Sequence, residues 1–285
     1  MFVGLLAAGV ASAALSATAM EFGPRAFGQN GWLTGTGGIP ADADIQLASG
    51  DLSLSAPAGD DAFLYATGNV FPAPNVTKIK LPGGTITSLQ GHKPMMALTV
   101  DDGISSAVVR EYAHFCKQTG MRMTFFVTAS YASWTDNIRL LRPLVESGQI
   151  QLGNHTWSHP DLKKQADAKI ADELNRTQQF ITNTYGVDAR PFFRPPYGNH
   201  DSRVDKVAAG LGYSTPVMWD GTLSDSALIP APTLKTFAQK YIQPERIVLG
   251  HANAPTVIDC LEYIQELIVT RKITPVTLND LYLHA

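Results

Sequence analysis

Two adjacent carboxylates end a short apolar run in segment 99–103 (TVDDG). Burying Asp101 and Asp102 at the end of a strand is costly unless something uses their charge. One carboxylate could bind a metal ion while its neighbour stays free for proton transfer. The alternative is an ordinary Asp-Gly turn, which is common in loops.

A pair of histidines lies four residues apart in segment 154–160 (NHTWSHP). That spacing places His155 and His159 on one face of a helical turn, close enough to share a metal ion. Pro160 keeps the turn short. Catalytic zinc typically takes three protein ligands and leaves one position open, so Asp102 would complete the set. Taken alone, the pair could equally be a coincidence of two surface histidines.

Two later segments add a cation and an acid. In segment 193–198 (FRPPYG), Arg194 can pair with a carboxylate, and a backbone N–H in the stiff turn can stabilise an oxyanion. In segment 247–251 (IVLGH), His251 has the titration range of a general acid. The competing interpretations are an arginine packed on Tyr197 and a structural histidine.

Apolar runs and helical spacing alternate from residue 94 onward, which predicts a mostly parallel sheet with helices outside it. Predicted strands cover 95–100, 122–128, 150–153, 191–194, 213–217, 247–249 and 274–276. Predicted helices cover 105–119, 137–147, 163–185, 203–209, 233–241 and 256–270. Seven strands in this order indicate a barrel or a strongly curved sheet. The candidate residues all follow predicted strands, where such folds place their chemistry.

These segments, in this order, resemble the polysaccharide deacetylases of carbohydrate esterase family 4, which share the NodB homology domain. The family pattern T-F-D-D-G is met by 99–103 with Val100 in place of Phe, and H-[ST]-x-x-H by 155–159. R-x-P-Y-G is met by 194–198, and the late apolar-x-His by 249–251. The resemblance covers about residues 94–282.

The resemblance implies an α/β fold of the distorted (β/α)7-type barrel class, with a short N-terminal extension. It implies one divalent metal ion, Zn²⁺ with Co²⁺ as the alternative, on Asp102, His155 and His159. The implied roles of the remaining site residues are a general base (Asp101), a general acid (His251), an arginine that orients and tunes the base (Arg194), an oxyanion donor (the Tyr197 N–H) and a pocket wall for the acetyl methyl group (Leu249).

One motif departs from the family pattern. The family often has an Asp-Trp pair after the fifth strand, but segment 218–226 reads MWDGTLSDS. Aligned from Trp219, which is a candidate for the substrate pocket, Asp225 takes the place of that aspartate and Ser226 the place of the tryptophan. Asp220 competes with Asp225 as the partner of His251.

The composition of the chain limits the classes of molecule that it can bind and the compartment in which it acts. The chain has 285 residues with a net charge of −3 and scattered Lys and Arg, which argues against nucleic acid as a partner. Residues 2–19 are apolar and uncharged, and 17–19 (ATA) fit a signal-peptidase site, so we expect a secreted or cell-surface protein. An uncleaved anchor and a buried helix are the alternatives, and no other run could span a membrane.

Cys116 and Cys260 lack the short spacing of a zinc or redox motif. In an exported barrel, where the first and last helices become neighbours, they could form a disulfide, and otherwise they are two buried thiols.

The sequence thus predicts a leader or anchor over 1–19, an extension or linker over 20–92 that is partly extended, and a catalytic domain over 93–285. The expected activity is metal-dependent removal of N-acetyl groups from a GlcNAc-containing polysaccharide, either peptidoglycan or chitin, with release of acetate. Two alternatives remain, namely O-deacetylation of acetylated xylan and a non-catalytic carbohydrate-binding protein on the same fold.

Overall fold

The computed structural model of the chain describes residues 70–89 and 91–283. The leader or anchor expected over 1–19 lies outside the described residues, as does the extension up to residue 69. Within the described ranges, no helix is both long and apolar enough to cross a membrane.

Strands and helices alternate along the described chain. The strands are β1 (Ile79–Lys80), β2 (Met95–Asp102), β3 (Met123–Val127), β4 (Ile150–Asn154), β5 (Phe192–Phe193), β6 (Thr215–Pro216), β7 (Gly221–Thr222), β8 (Ile247–His251), β9 (Thr274–Pro275) and β10 (Tyr282–Leu283). The helices are α1 (Ser106–Thr119), α2 (Ser133–Asp136), α3 (Ile138–Glu146), α4 (Asp167–Tyr185), α5 (Ser202–Gly210), α6 (Ala231–Tyr241), α7 (Leu261–Thr270) and α8 (Leu278–Leu281).

An eight-stranded parallel sheet occupies the centre, in the order β6-β5-β4-β3-β2-β8-β7, with β9 paired to β2. It curls into a half-barrel with the helices outside, which confirms the predicted fold class. In register, Asp101 lies beside His251 on β8, and β3 pairs with both β2 and β4. Because all of these strands run the same way, the side chains at their carboxyl ends meet at one edge.

The first helix shows why the elements form where they do. The Ser105 hydroxyl accepts a hydrogen bond from the Val108 N–H at the start of α1, and Gly120 ends the helix at φ 78°, which glycine adopts without strain. Val108, Tyr112 and Phe115 recur at helical spacing and are fully buried. Their burial presses α1 against the sheet beneath the site.

Two predicted helices are wrong in length. Residues 163–185 are not one helix, because a 3₁₀ turn (Leu162–Lys164) precedes α4 and Ala166 between them is extended at ψ 154°. Arg203 takes the carbonyls of Lys163 and Gln165, which removes them from any continuous helix. Likewise a 3₁₀ turn, Pro255–Cys260, precedes α7. The two-residue strands β7 and β10 and the four-residue helices α2 and α8 were not predicted.

Residues 70–89, which precede β2, pack on this sheet. β1 pairs in parallel with β10, and Ile86 forms a bridge to Val217 on the edge of the main sheet. Phe71 and Leu89 are buried in the two apolar cores. Residues 70–89 therefore contribute to the core that supports the sheet.

Cys116 on α1 and Cys260 at the start of α7 are both buried free thiols, so the structure does not contain the disulfide that topology suggested. Burial raises the pKa of both thiols. Buried, protonated thiols behave as small apolar side chains.

Candidate active site

A cluster of one carboxylate and two imidazoles lies at the carboxyl end of the sheet. The Oδ1 atom of Asp102 lies 3.4 Å from His155 Nε2 and 3.2 Å from His159 Nε2. Their ligand atoms lie within 4.8 Å of one another, and within the described residues this is the group whose geometry suits a metal ion. Asp102 and His155 are buried, whereas His159 is partly exposed.

The donors of this cluster fit a divalent cation. Asp102 Oδ1 is buried and has no hydrogen-bond partner, while Oδ2 accepts a 2.7 Å hydrogen bond from Asn253 Nδ2. Zinc binds imidazole nitrogen and carboxylate oxygen at about 2.0–2.2 Å, which makes a tetrahedral ligand–ligand edge of about 3.3–3.5 Å. The two separations between Asp102 Oδ1 and the imidazole nitrogens match that edge closely. An orphaned buried oxygen facing two imidazole nitrogens is the arrangement that a cation would complete.

The charge state of Asp102 also suits a ligand. Burial raises its pKa, but the electrostatic interaction with His155 and His159 and the hydrogen bond from Asn253 outweigh burial and hold the pKa well below its usual range. The carboxylate is therefore ionised at neutral pH. The pKa of His159 is lowered by burial and by the nearby His155, which favours the neutral imidazole that a metal requires.

The two histidines do not lie on a helical turn, contrary to the sequence prediction. Residues 155–160 form an irregular loop after β4, with Thr156 at φ 70° and His159 at φ 60°. The Thr156 hydroxyl accepts from the His159 N–H at 3.1 Å and closes this loop. The imidazoles meet because two left-handed residues reverse the chain.

A second contact sets the orientation of His155. Its Nδ1 lies 2.6 Å from the Arg194 carbonyl oxygen, and that contact requires Nδ1 to carry the proton. Nε2 is then the nitrogen that faces Asp102 Oδ1. Metal-binding histidines commonly have such an outer partner, which fixes the tautomer.

Arg194 is fully buried and pairs with Asp101, with 2.7 Å between Nη1 and Oδ1. The guanidinium also donates to the Thr99 hydroxyl and to the carbonyls of Val217 and Met218. These contacts occupy one oxygen of Asp101 and leave Oδ2 directed toward His155 Nε2 at 3.6 Å. One oxygen of this carboxylate thus remains available at the metal cluster.

His251 at the end of β8 is held by Asp225. Asp225 Oδ1 lies 3.0 Å from His251 Nδ1, and Oδ2 accepts from the His251 N–H at 3.2 Å. Asp220 contacts Arg246 and the Ile247 N–H instead. Of the two aspartates left open by the sequence, the structure brings Asp225 to the histidine. Burial lowers the pKa of His251, but the Asp225 hydrogen bond and nearby carboxylates outweigh burial and raise it.

These groups open into a cleft of about 530 Å³. Its walls include Leu249, Trp219, Ser226 and Tyr197. Of the site residues expected from the sequence, all line the cleft except Arg194, Asp220 and Asp225. The Tyr197 ring is 67% exposed and packs edge-on against His159, with the ring centres 4.6 Å apart. Ser226 leaves the wall without a large side chain at that point.

Backbone strain concentrates around this cleft. Left-handed φ is uncommon for residues other than glycine and persists where the surrounding structure enforces it, often at functional sites. Of the seven such residues in the described chain, five lie at the cluster or next to it. They are Asp102, Thr156, His159, Tyr197 and Ser224.

Several contacts were missed from the sequence. Asn253 lies two residues after His251 and binds Asp102, and Trp134 donates from Nε1 to the Asp102 carbonyl at 3.1 Å. A Cβ at Gly103 would lie 2.5 Å from the Trp134 ring, so the glycine is needed there. Asparagine and tryptophan outside the motifs carry no pattern that would have identified them.

Residues 88–216 match the family model described as polysaccharide deacetylase. Chitin deacetylase 1 of Cryptococcus neoformans var. grubii is 34% identical over 137 residues, which cover 48% of this chain and 28% of that protein. The chain spans half or less of the length of the first curated relatives it matches.

Two solved structures extend the likeness in fold. The Bc1960 peptidoglycan N-acetylglucosamine deacetylase has a TM-score of 0.63 and 25% identity, covering 71% of this chain and 94% of that one. A carbohydrate esterase family 4 pseudoenzyme from Bacillus anthracis has a TM-score of 0.62 and 22% identity, covering 70% and 69%. Because a pseudoenzyme shares the fold, any argument for activity depends on the site residues of this chain.

Proposed function

We propose that this chain is a metal-dependent hydrolase that removes N-acetyl groups from a GlcNAc-containing polysaccharide, and its match to the polysaccharide deacetylase family model over residues 88–216 supports the proposal. Peptidoglycan and chitin are the proposed substrates, and acetate is the released product. The observation that carries the proposal is the buried, unpartnered Asp102 Oδ1, which faces two imidazole nitrogens in an open cleft. In this proposal residues 93–285 form the catalytic domain of a secreted or cell-surface enzyme.

Asp102, His155 and His159 would hold the metal ion, with Zn²⁺ as the first candidate and Co²⁺ as the second. A bound divalent cation would act as a Lewis acid toward the scissile carbonyl and make a nearby water more acidic. The position of the cluster on the floor of the cleft would bring the acetamide group of one sugar residue to it.

Asp101 would act as the general base. Its Oδ1 is held by Arg194, so Oδ2 would accept the proton of the attacking water. The hydroxide so formed attacks the carbonyl carbon, and the carbonyl electrons move to oxygen. Arg194 contributes by orienting the carboxylate and by keeping a positive charge beside it.

His251 would act as the general acid. Because Nδ1 is bound to Asp225, Nε2 is the nitrogen that can donate a proton to the departing amine as the C–N bond breaks. An amide requires this proton more than an ester does, because an amine anion is a far poorer leaving group than an alkoxide. The raised pKa of His251 keeps the imidazolium populated near neutral pH.

The Tyr197 N–H would stabilise the oxyanion. In its turn, the N–H groups of Gly198 and Asn199 donate to the carbonyls of Pro195 and Pro196, so the Tyr197 N–H is not used by these turn contacts. A donor placed for a developing oxyanion lowers the activation barrier by about 3–4 kcal/mol. Leu249 would contact the acetyl methyl group, and Trp219 would line the sugar side of the cleft.

An acetate-release assay tests the function. Peptidoglycan, chitin oligomers and acetylxylan would each be incubated with the protein and added Zn²⁺ or Co²⁺. We expect acetate from an N-acetylated glycan, and release from acetylxylan alone would favour the O-deacetylase. Protein with metal bound that releases no acetate from any acetylated glycan would instead be a non-catalytic member of the fold.

The variant His251→Ala separates the amide from the ester reaction. We expect it to slow N-deacetylation far more than O-deacetylation. Equal losses on both substrates would contradict the assignment of His251 as the acid that serves the amide leaving group.

A further inference from the structure

Glu173 on α4 is a fully buried carboxylate that no motif singled out. Its Oε2 accepts a 2.7 Å hydrogen bond from the Ser158 N–H, and its Oε1 accepts a 2.8 Å bond from the Ser158 hydroxyl. Lys169 lies 2.8 Å from Oε1. Both oxygens are therefore occupied, so two charge-assisted hydrogen bonds and one ion pair compensate the burial of this carboxylate.

The residue that Glu173 holds is the one before a proposed metal ligand. Ser158 precedes His159, whose backbone sits at φ 60°, and Thr156 on the other side is at φ 70°. Left-handed conformations of residues other than glycine cost about 1–3 kcal/mol each. A loop with two such residues needs fixed contacts to keep its shape, and the Ser158 N–H and hydroxyl supply two of them.

The same face of α4 holds the loop at a second point. Arg176 lies over the Trp157 ring with its guanidinium carbon 4.2 Å from the ring centre, and Phe180 contacts the ring edge-on. Glu173, Arg176 and Phe180 recur at helical spacing, so one helical stripe contacts two consecutive loop residues. The helix thus serves as a rigid support for the loop.

We propose that Glu173 is a positioning residue for the metal centre, because it clamps Ser158 and thereby holds His159 with its Nε2 directed at Asp102. This inference rests on the proposed metal-dependent function and extends it to a residue outside the cleft. Its hydrogen bonds go to Ser158 and its ion pair to Lys169, not to the three proposed metal ligands.

The charge of Glu173 is part of the clamp. Burial raises its pKa, but the contacts from Lys169 and from Ser158 outweigh burial and lower it, so the carboxylate is ionised at neutral pH. In Glu173→Gln the amide nitrogen cannot accept a hydrogen bond, so one Ser158 donor loses its partner while the side-chain volume is kept. This variant removes half of the clamp with little change in packing.

The test is the affinity for Zn²⁺ alone, measured on the full chain by chelator competition and on Co²⁺ by its visible absorption. Outer contacts of metal sites typically change affinity about 10- to 100-fold, and we expect Glu173→Gln to raise the dissociation constant within that range. The metal-induced gain in melting temperature should shrink accordingly. An unchanged dissociation constant would overturn the proposal, even if the melting temperature fell equally with and without metal.

Asp167→Asn is the matched control. Asp167 is another acid of α4, and it pairs with Arg203 on α5, at 2.7 Å, rather than with the loop of residues 155–160. It should bind Zn²⁺ as the unmodified protein does, and a loss equal to that of Glu173→Gln would overturn the proposal by showing a general charge effect.

Ser158→Ala decides the matter if Glu173→Gln does not fold. It removes the hydroxyl bond and keeps the N–H bond, so we expect a several-fold weaker affinity, and an affinity equal to that of the unmodified protein would overturn the proposal. The outcomes separate this proposal from the proposed function. Absence of Zn²⁺ binding in the unmodified protein would reject the metal centre itself, whereas acetate release tests the reaction.

Discussion

Asp225 and His251 are joined by two hydrogen bonds, one to the imidazole Nδ1 at 3.0 Å and one to the backbone N–H at 3.2 Å. The side chain and the main chain of the histidine are thus held by one carboxylate. Asp225 is 1% exposed, so water does not compete for these contacts. The pair therefore fixes both the direction and the protonation of His251.

Asp225→Asn should move the alkaline limb of the pH–activity profile to lower pH. The general acid must be protonated, and the raised pKa of His251 keeps it so until the pH rises through that value. Asparagine removes the charge, so protonation is lost earlier. The measurement is kcat/KM against pH on an N-acetylated chitooligosaccharide.

Asp220→Asn is the control for that profile, because Asp220 contacts Arg246 rather than His251. Its alkaline limb should stay in place. The stability of the fold should depend on pH in the same direction as the activity. A histidine whose pKa is raised on folding stabilises the protein below its unfolded pKa, and this contribution is lost as the pH rises through the folded pKa. An alkaline limb that Asp225→Asn leaves in place would contradict the pairing.

Asn253→Ala should weaken metal binding about 10-fold or more, because Asp102 loses the donor that holds Oδ2 and with it the fixed direction of Oδ1. Competition titration with Zn²⁺ measures the change. Asn183→Ala is a suitable comparison, since Asn183 is an exposed residue near the end of α4. Equal affinities of the two variants for Zn²⁺ would contradict the role of Asn253 in holding Asp102.

Arg194→Met should destabilise the fold by about 3–5 kcal/mol, because it leaves the buried Asp101 without its cationic partner. Urea unfolding at neutral pH measures the loss. Arg110 forms an ion pair with Glu111 at the surface, and Arg110→Met should change the stability by no more than about 1 kcal/mol. Similar losses in the free energy of unfolding for the two variants would contradict the prediction that the buried pair stabilises the fold more than the surface pair.

Cys116 and Cys260 should resist alkylation in the native protein, because both thiols are buried and their pKa values are raised. After unfolding without reductant, mass spectrometry should find both residues alkylated. Thiols that become reactive only after reduction would reveal a disulfide and contradict the structure.

The site residues that could be predicted from the sequence are those that lie at the ends of predicted strands. Asp101 and His251 lie at the ends of neighbouring parallel strands. The alternation of strands and helices in the sequence was therefore enough to predict that both residues lie at the same edge of the sheet. The histidine loop was predicted at the right place but with the wrong shape. The spacing of His155 and His159 suggests a helix, whereas their convergence depends on backbone angles that no propensity encodes.

The features that could not be predicted from the sequence depend on contacts between segments that are distant along the chain. Glu173 and Asn253 meet the site only after the sheet has formed, and neither residue type carries a periodic pattern. The break before α4 follows from Arg203, which lies on another helix. The choice between Asp220 and Asp225 likewise required the geometry of β8, because both aspartates follow the same predicted strand.

The most direct test of the central claim is metal titration of chelator-treated protein while acetate release from an N-acetylated chitooligosaccharide is measured. We expect no release without metal and a rate that rises with Zn²⁺ or Co²⁺ up to one equivalent and then levels off. Asp102→Ala should not respond at the same concentrations. Full activity in the metal-free protein, or no acetate with one equivalent of metal bound, would contradict the account.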